Sequence, residues 1–166
     1  ADVMLAVDDL PAELPPTATA LHFGSISLVR EPGATTFEAL MAREHGRRVL
    51  SLDPNVRPGL IPDREAYVAR LERWVALVDL VKVSRADLAW LYPGTDPESA
   101  ARRWLDMGPG LMVVTLGADG AFGICGSLRR QVGGRVVTVV DTVGAGDAFT
   151  SGLLGWLESN GRLTHE

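Results

Sequence analysis

Short apolar runs alternate with segments of helical periodicity along this chain, and no other feature limits its fold so strongly. Leu111-Met-Val-Val-Thr-Leu116 lacks the polar alternation of a half-exposed strand and suits a sheet covered on both faces. Similar strand-sized runs lie at Ala20-Leu-His-Phe23, Val49-Leu-Ser-Leu52 and Asp79-Leu-Val-Lys-Val83. Between them, Phe37, Leu40 and Met41 mark one apolar face of a helix over 35–44. Tyr67, Leu71, Trp74, Val75 and Val78 recur at three and four residues and mark a helix from Asp63, with the aromatics in the core. A short helix is expected over 85–91. Another follows Asp96 as cap with Pro97 in its first turn, turns Ala100, Ala101, Trp104 and Leu105 to the core, and ends at Gly108-Pro-Gly110. Strands joined by glycine turns are expected near 121–125, 129–132 and 136–140, then a last helix over 146–157 stopped by Asn160-Gly161. The stretch 8–19, rich in proline and acidic residues, reads as a connecting excursion. This order predicts an α/β fold around a mainly parallel central sheet. With 46% hydrophobic content in 166 residues, one core is expected and two domains would be strained.

Charge and cysteine content remove several function classes. The 16 basic and 21 acidic side chains give a net charge of -5, and no Lys/Arg stripe with interleaved aromatics suggests nucleic acid. Arg43, Arg47 and Arg48 read as a solvated helix end. Cys125 is the only cysteine, so neither a disulfide framework nor a thiolate metal cluster is expected; it reads as a buried, inert thiol in a strand, compatible with a reducing cytoplasm. The run Val3-Met-Leu-Ala-Val7 is strand-sized and lacks the basic flank of a signal peptide, and no apolar stretch reaches the ~18 residues of a membrane span. His22, His45 and His165 have no ligand spacing and read as non-metal residues.

The chemistry concentrates in Asp141-Thr-Val-Gly-Ala-Gly-Asp147, at the start of the last apolar helix. Gly144-Ala-Gly146 lets the backbone approach a ligand and turn successive N–H groups to one point, and the helix N-terminus adds further donors for negative charge. Asp147 beside such a turn suits accepting a proton from an attacking hydroxyl during phosphoryl transfer. A bare Gly-x-Gly-Asp would equally serve as a helix start. The longer stretch through Ala148-Phe-Thr-Ser-Gly152 resembles the C-terminal signature of the ribokinase-like, or PfkB, carbohydrate kinases.

That resemblance implies a three-layer Rossmann-like fold and assigns roles to further residues. Asp147 would be the catalytic base and Gly144, Ala145 and Gly146 the anion hole. Asp141 would organise the region beside a monovalent-cation (K⁺) site or simply form a turn, and Thr142 would bind a phosphate oxygen or close the turn. Thr115-Leu-Gly-Ala-Asp-Gly120 resembles the nucleotide-side loop, with Gly117 and Gly120 allowing a tight turn and Thr115 offering a hydroxyl. Asp53-Pro-Asn-Val-Arg57 resembles the corresponding stretch of fructokinase-like members. Arg57 would clamp the transferring group, while Asp53 and Asn55 organise the loop or contact substrate. In Lys82-Val-Ser-Arg-Ala-Asp87, Lys82 and Ser84 fall on the nucleotide side. Asp87 takes the place of a family Glu that arranges Mg²⁺ through water, and Ser84 the place of an Asn; Asp87 as a plain helix cap is the other reading.

The implied partners are ATP with Mg²⁺ and a sugar, in a cytoplasmic enzyme. Fructose phosphorylated to fructose 6-phosphate is the leading case and 2-keto-3-deoxygluconate the nearest alternative. The resemblance also implies a partial kinase domain over 1–166, the C-terminal half to two-thirds of a longer chain, lacking the sugar-binding and lid portion and the extreme C-terminus. Alone it would have little activity, leaving a non-catalytic nucleotide-binding or assembly module as the competing reading. A sheet built to continue would expose an edge that further chain or a homodimer covers.

Overall fold

The computed structural model describes residues 4–136, 138 and 141–164, and its six strands form one sheet in sequence order. β1 (Ala20–Gly24), β2 (Val49–Asp53), β3 (Leu80–Ser84) and β4 (Leu111–Thr115) run parallel. β5 (Ala121–Cys125) and β6 (Leu128–Val132) complete the sheet antiparallel. Parallel neighbours need long crossovers. Helix α1 (Gly33–Glu44) supplies the first, α2 (Arg64–Val75) the second, and α3 (Arg85–Leu91) with α4 (Pro97–Leu105) the third; α5 (Ala145–Ser159) follows β6.

Local chemistry sets these boundaries. Asp63 starts α2 by accepting the Ala66 N–H at 3.0 Å, and Asp96 starts α4 by accepting from Glu98 and Ser99 at 2.9 and 3.2 Å. Ser84 and Asp87 close a reciprocal capping box around the start of α3.

The sheet has two chemically different faces. Phe23, Leu50, Leu52, Val81, Val83, Met112, Val114, Phe122 and Ile124 alternate onto one face and join Met41, Leu71, Trp74, Leu88 and Trp104 from α1–α4 in one apolar core. The opposite face carries His22, Ser51, Asp53 and Lys82 among smaller apolar residues. Helix α5 lies over it: Gly146 meets Lys82 and Asp53, while Trp156 and Leu157 share a cleft of about 560 Å³ with Val49, Leu80 and Leu111. Helices on both sides of a mixed sheet make the expected three-layer α/β arrangement. Among the described residues, no helix is long and apolar enough to cross a membrane.

Four expectations need correction. Cys125 is exposed, because it is the last residue of β5 and meets the hairpin turn at Gly126 on the sparsely covered face. Arg48 is no solvated helix end: it pairs with buried Glu44 at 2.8 Å and donates to the carbonyls of Leu14, Pro15 and Ala18. The excursion over 10–19 offers carbonyls without ladder partners, and a guanidinium with five donors satisfies several at once. Arg43 likewise reaches Glu44 and the Pro11 carbonyl. Burial alone would raise the Glu44 carboxyl, but hydrogen bonds from Arg48 and Arg43 outweigh it and hold it below its usual range. Leu5 and Ala6 form no strand, since Val7–Asp9 is a 3-10 turn whose Asp9 carboxylate takes the Ala6 N–H. Val136 and Thr138 lie in no strand, while Val137, Val139 and Val140 of that expected strand, Val3 and His165 fall outside the described residues.

Candidate active site

The four parallel strands end on one edge, with Gly24 opposite Asp53 and Ser84 opposite Thr115. Ligands of open α/β sheets bind beyond such strand ends. There the start of α5 and the ends of β1 and β2 enclose a pocket of about 260 Å³, lined by His22, Ser25, Phe37, Asp53, Asn55 and Asp147 among others. Its size is near the lower end of the ~300–1,000 Å³ typical of ligand pockets.

Backbone conformation singles out the same place. Ser25 and Asn55, with φ of 61° and 40°, are the positive-φ residues other than glycine among those described, and both line this pocket. Such conformations persist where the surroundings impose them, and they cluster at functional sites. Asn55 is tied down by Arg57, whose Nη1 donates to its Oδ1 at 2.6 Å, and Ser27 donates to the Gly24 carbonyl at 2.7 Å.

Beneath the pocket, Lys82 Nζ donates to Asp53 Oδ2 at 2.7 Å, and both residues are buried. Asp53 Oδ1 is buried without a hydrogen-bond partner. Gly146 sits against this pair: a Cβ there would lie 3.1 Å from Nζ, a contact tight enough that the ammonium would have to shift by a few tenths of an ångström. Beside it, His22 Nδ1 and Ser51 Oγ are 3.1 Å apart. His22 keeps solvent exposure, yet burial is the main effect holding its pKa below 6.5, with Lys82 acting the same way and Asp53 and Asp147 opposing. A histidine pKa lower in the fold than in the unfolded chain gives stability that is complete above 6.5 and is lost as pH falls through the folded value. Denaturant titrations between pH 7.5 and 5 should therefore show stability falling on acidification, with part of that slope missing in His22→Gln; an unaltered slope would refute the effect.

The turn Gly144-Ala-Gly146 opens α5. Gly144 is its N-cap with φ 77°, the Thr142 carbonyl accepts the Ala145 N–H at 3.2 Å, and Asp141 Oδ1 accepts the Val143 N–H at 2.9 Å. Asp141, Thr142 and Asp147 are exposed. Asp87 lies at the start of α3, where its Oδ1 accepts from Val56 N–H at 3.1 Å and its Oδ2 from Ser84 N–H at 3.4 Å. It thereby ties the loop after β2 to β3. Burial pushes its carboxyl above the usual range; hydrogen bonds from Ser84 oppose this, Asp53 reinforces it, and the Val56 N–H opposes it.

On the other flank Thr115 ends β4, Gly117–Asp119 make a 3-10 turn, and Arg85 links this turn to α3 through Asp119 and the Leu116 carbonyl, both at 2.9 Å. Gly120 has φ 93°, and a Cβ on it would lie 2.0 Å from the Val132 carbonyl oxygen. Gly120→Ala should cost about 1–3 kcal/mol, read by chemical denaturation; wild-type stability would show that the turn relaxes freely.

The structure thus brings Asp53, Asn55 and Asp147 to one pocket and Lys82 and Gly146 to its floor. Arg57 is exposed and bonded to Asn55 but does not line the pocket. His22 was missed, because three histidines without metal-ligand spacing gave no signal; its two-residue distance from Gly24 at the end of β1 was the available clue. Among the described residues, no group of three or more His, Cys, Asp or Glu is arranged to hold a metal.

Known proteins resemble this chain in sequence and in fold. Residues 6–165 match the model of the pfkB family carbohydrate kinases. A fructokinase of Rhizobium leguminosarum bv. trifolii is 46% identical over 161 residues, which cover 97% of this chain and 49% of that protein. A fructokinase of Klebsiella pneumoniae is 40% identical over 91% of this chain and 50% of its own length. The crystal structure of Vibrio cholerae O395 fructokinase with fructose, ADP and calcium superposes with a TM-score of 0.80 at 34% identity, covering 92% of this chain and 49% of that one. Salmonella enterica aminoimidazole riboside kinase, bound to aminoimidazole riboside and an ATP analogue, gives 0.79 at 29%, covering 93% and 52%. The chain spans about half the length of these relatives.

Proposed function

Since this chain belongs to the pfkB family of carbohydrate kinases, we propose that it forms the phosphoryl-transfer half of an ATP-dependent sugar kinase, with fructose as acceptor and fructose 6-phosphate as product. The observation that carries this reading is Asp147 in the wall of a strand-end pocket, on the first turn of a helix that opens with Gly144-Ala-Gly146. Asp147 takes the proton of a primary hydroxyl as its oxygen attacks the γ-phosphorus and ADP leaves. The N–H groups at 144–146, that of Ala145 once it leaves the Thr142 carbonyl, stabilise charge on the transferring group, which has little covalent help to receive from a protein. Arg57 turns from Asn55 to the phosphoryl group. Thr115, Gly117, Gly120 and Thr142 form the nucleotide side, with Lys82 and Ser84 behind them.

Magnesium carried by the nucleotide neutralises phosphate charge; it keeps several waters and needs only one or two carboxylates. Asp87 fits that need: each of its oxygens accepts one main-chain N–H and keeps a lone pair for such a water. Asp141 has one oxygen engaged and is the candidate for a monovalent cation. The outer edge of β1 and exposed Leu128 and Val132 on the α5 face suit cover by further chain or a second copy. A cytoplasmic location belongs to the same reading.

The fructokinase relatives support fructose as the acceptor. ATP consumption by the full-length protein across fructose, other hexoses, ribosides and 2-keto-3-deoxygluconate tests it. Phosphorylation of the keto-deoxy acid alone would overturn the fructose assignment. ATP binding without consumption for any sugar would favour a non-catalytic nucleotide-binding module.

A further inference from the structure

Two opposite charges buried together on one sheet face call for a reason beyond stability. A buried ion pair gains little over apolar residues of similar volume, because the cost of desolvating both ions offsets their attraction. Lys82 and Asp53 are nevertheless 5% and 3% exposed, on β3 and β2, and in contact at 2.7 Å. The backbone of α5 rests on them. A Cβ at Gly146 would lie 3.1 Å from Lys82 Nζ and 4.0 Å from Asp53 Oδ2. Helix α5 has little else to fix its first turn. Thr150 is its one buried residue and its hydroxyl has no partner, while Phe149 and Trp156 remain 36% and 61% exposed.

On the kinase reading above, we propose that Lys82, fixed by Asp53, is a positioning residue that seats the first turn of α5. The ammonium sets the height of that turn over the strand ends, and so where Asp147 and the N–H groups of 144–146 stand relative to the phosphoryl group. It touches neither reactant. Its charge adds to the positive end of the α5 dipole, and Asp53 offsets the resulting repulsion until an anion arrives. Glycine at 146 belongs to the same device, since any side chain there would push Nζ away.

The test must separate seating from folding and from nucleotide binding. Lys82→Met alone strands a buried carboxylate and is prone to unfold, so the informative variant is the double replacement Lys82→Met with Asp53→Leu, which removes both charges and keeps apolar volume. In this chain without ligands, hydrogen exchange at Ala148–Thr150 should quicken at least tenfold while the global unfolding midpoint is retained. In the full-length protein, kcat should fall at least 100-fold while ATP affinity holds. Unchanged exchange at 148–150 would overturn the proposal, whatever the activity. A tenfold loss of ATP affinity with kcat retained would make Lys82 a nucleotide ligand and would overturn it too. If wild-type full-length protein phosphorylates no sugar, the kinase reading fails, while the exchange measurement still decides whether the pair seats α5.

Discussion

Asp147→Asn in the full-length protein should lower kcat for sugar phosphorylation by about 10³-fold, within the range for removal of a general base, while ATP binding survives. Asparagine has the shape of aspartate and still presents an oxygen at the pocket wall, but it cannot take up the hydroxyl proton. The helix itself should tolerate the change. A carboxylate in a first helical turn contributes about 0.3–1 kcal/mol through the dipole, and Asp147 makes no side-chain hydrogen bond or ion pair among those described. Steady-state ATP consumption and calorimetric ATP titration read the two quantities separately. A variant within tenfold of wild-type turnover would sink the base assignment. Parallel loss of ATP affinity and stability would mean that Asp147 mainly builds the turn.

Trp104→Ala should destabilise the fold by about 3–5 kcal/mol, the range for emptying a buried indole site. Trp104 is fully buried on α4, packs edge-on against Tyr92 with centroids 6.0 Å apart, and donates its Nε1–H to the Tyr92 hydroxyl at 2.7 Å. Tyr92 donates onward to Glu72 on α2 at 2.8 Å, and Arg103 meets the same carboxylate oxygen at 2.7 Å. Truncation would therefore open a cavity and remove the donor to Tyr92, leaving the Arg103–Glu72 contact as the direct polar link between α4 and α2. Trp104→Phe keeps most of the packing and loses the donor, and should cost about 1–3 kcal/mol. Urea unfolding of both variants measures the difference. Equal losses would assign the whole effect to the hydrogen bond.

The parallel strands, the helices between them and the Asp141–Asp147 turn were legible because their signals are local. A continuous apolar run, a three–four periodicity or a capping aspartate is complete within a few residues. Asp53-Pro-Asn and Gly144-Ala-Gly-Asp147 likewise announced polar groups at element ends. The floor of the site was less legible. Lys82 and Asp53 are 29 residues apart, and their contact depends on the β2–β3 register and on the approach of Gly146 from a third element. Burial was also misjudged where position outweighs residue type: Cys125 lies at a hairpin end, and Arg48 is drawn in by carbonyls that no ladder satisfies. His22 belongs with them, since its significance comes from a neighbouring strand and a distant helix.

The two-faced sheet makes pairing register a carrier of chemical information. Side chains alternate with a period of two, so sliding β3 by one residue would turn Lys82 into the apolar layer and bring Val81 or Val83 to the pocket floor. The same slip would destroy the contact with Asp53. A mispaired chain is therefore penalised twice, once in its apolar core and once in its candidate site. The aliphatic residues that alternate with the charged ones act as a proofreading key: by insisting on their own burial, they deliver the charged groups to the correct side.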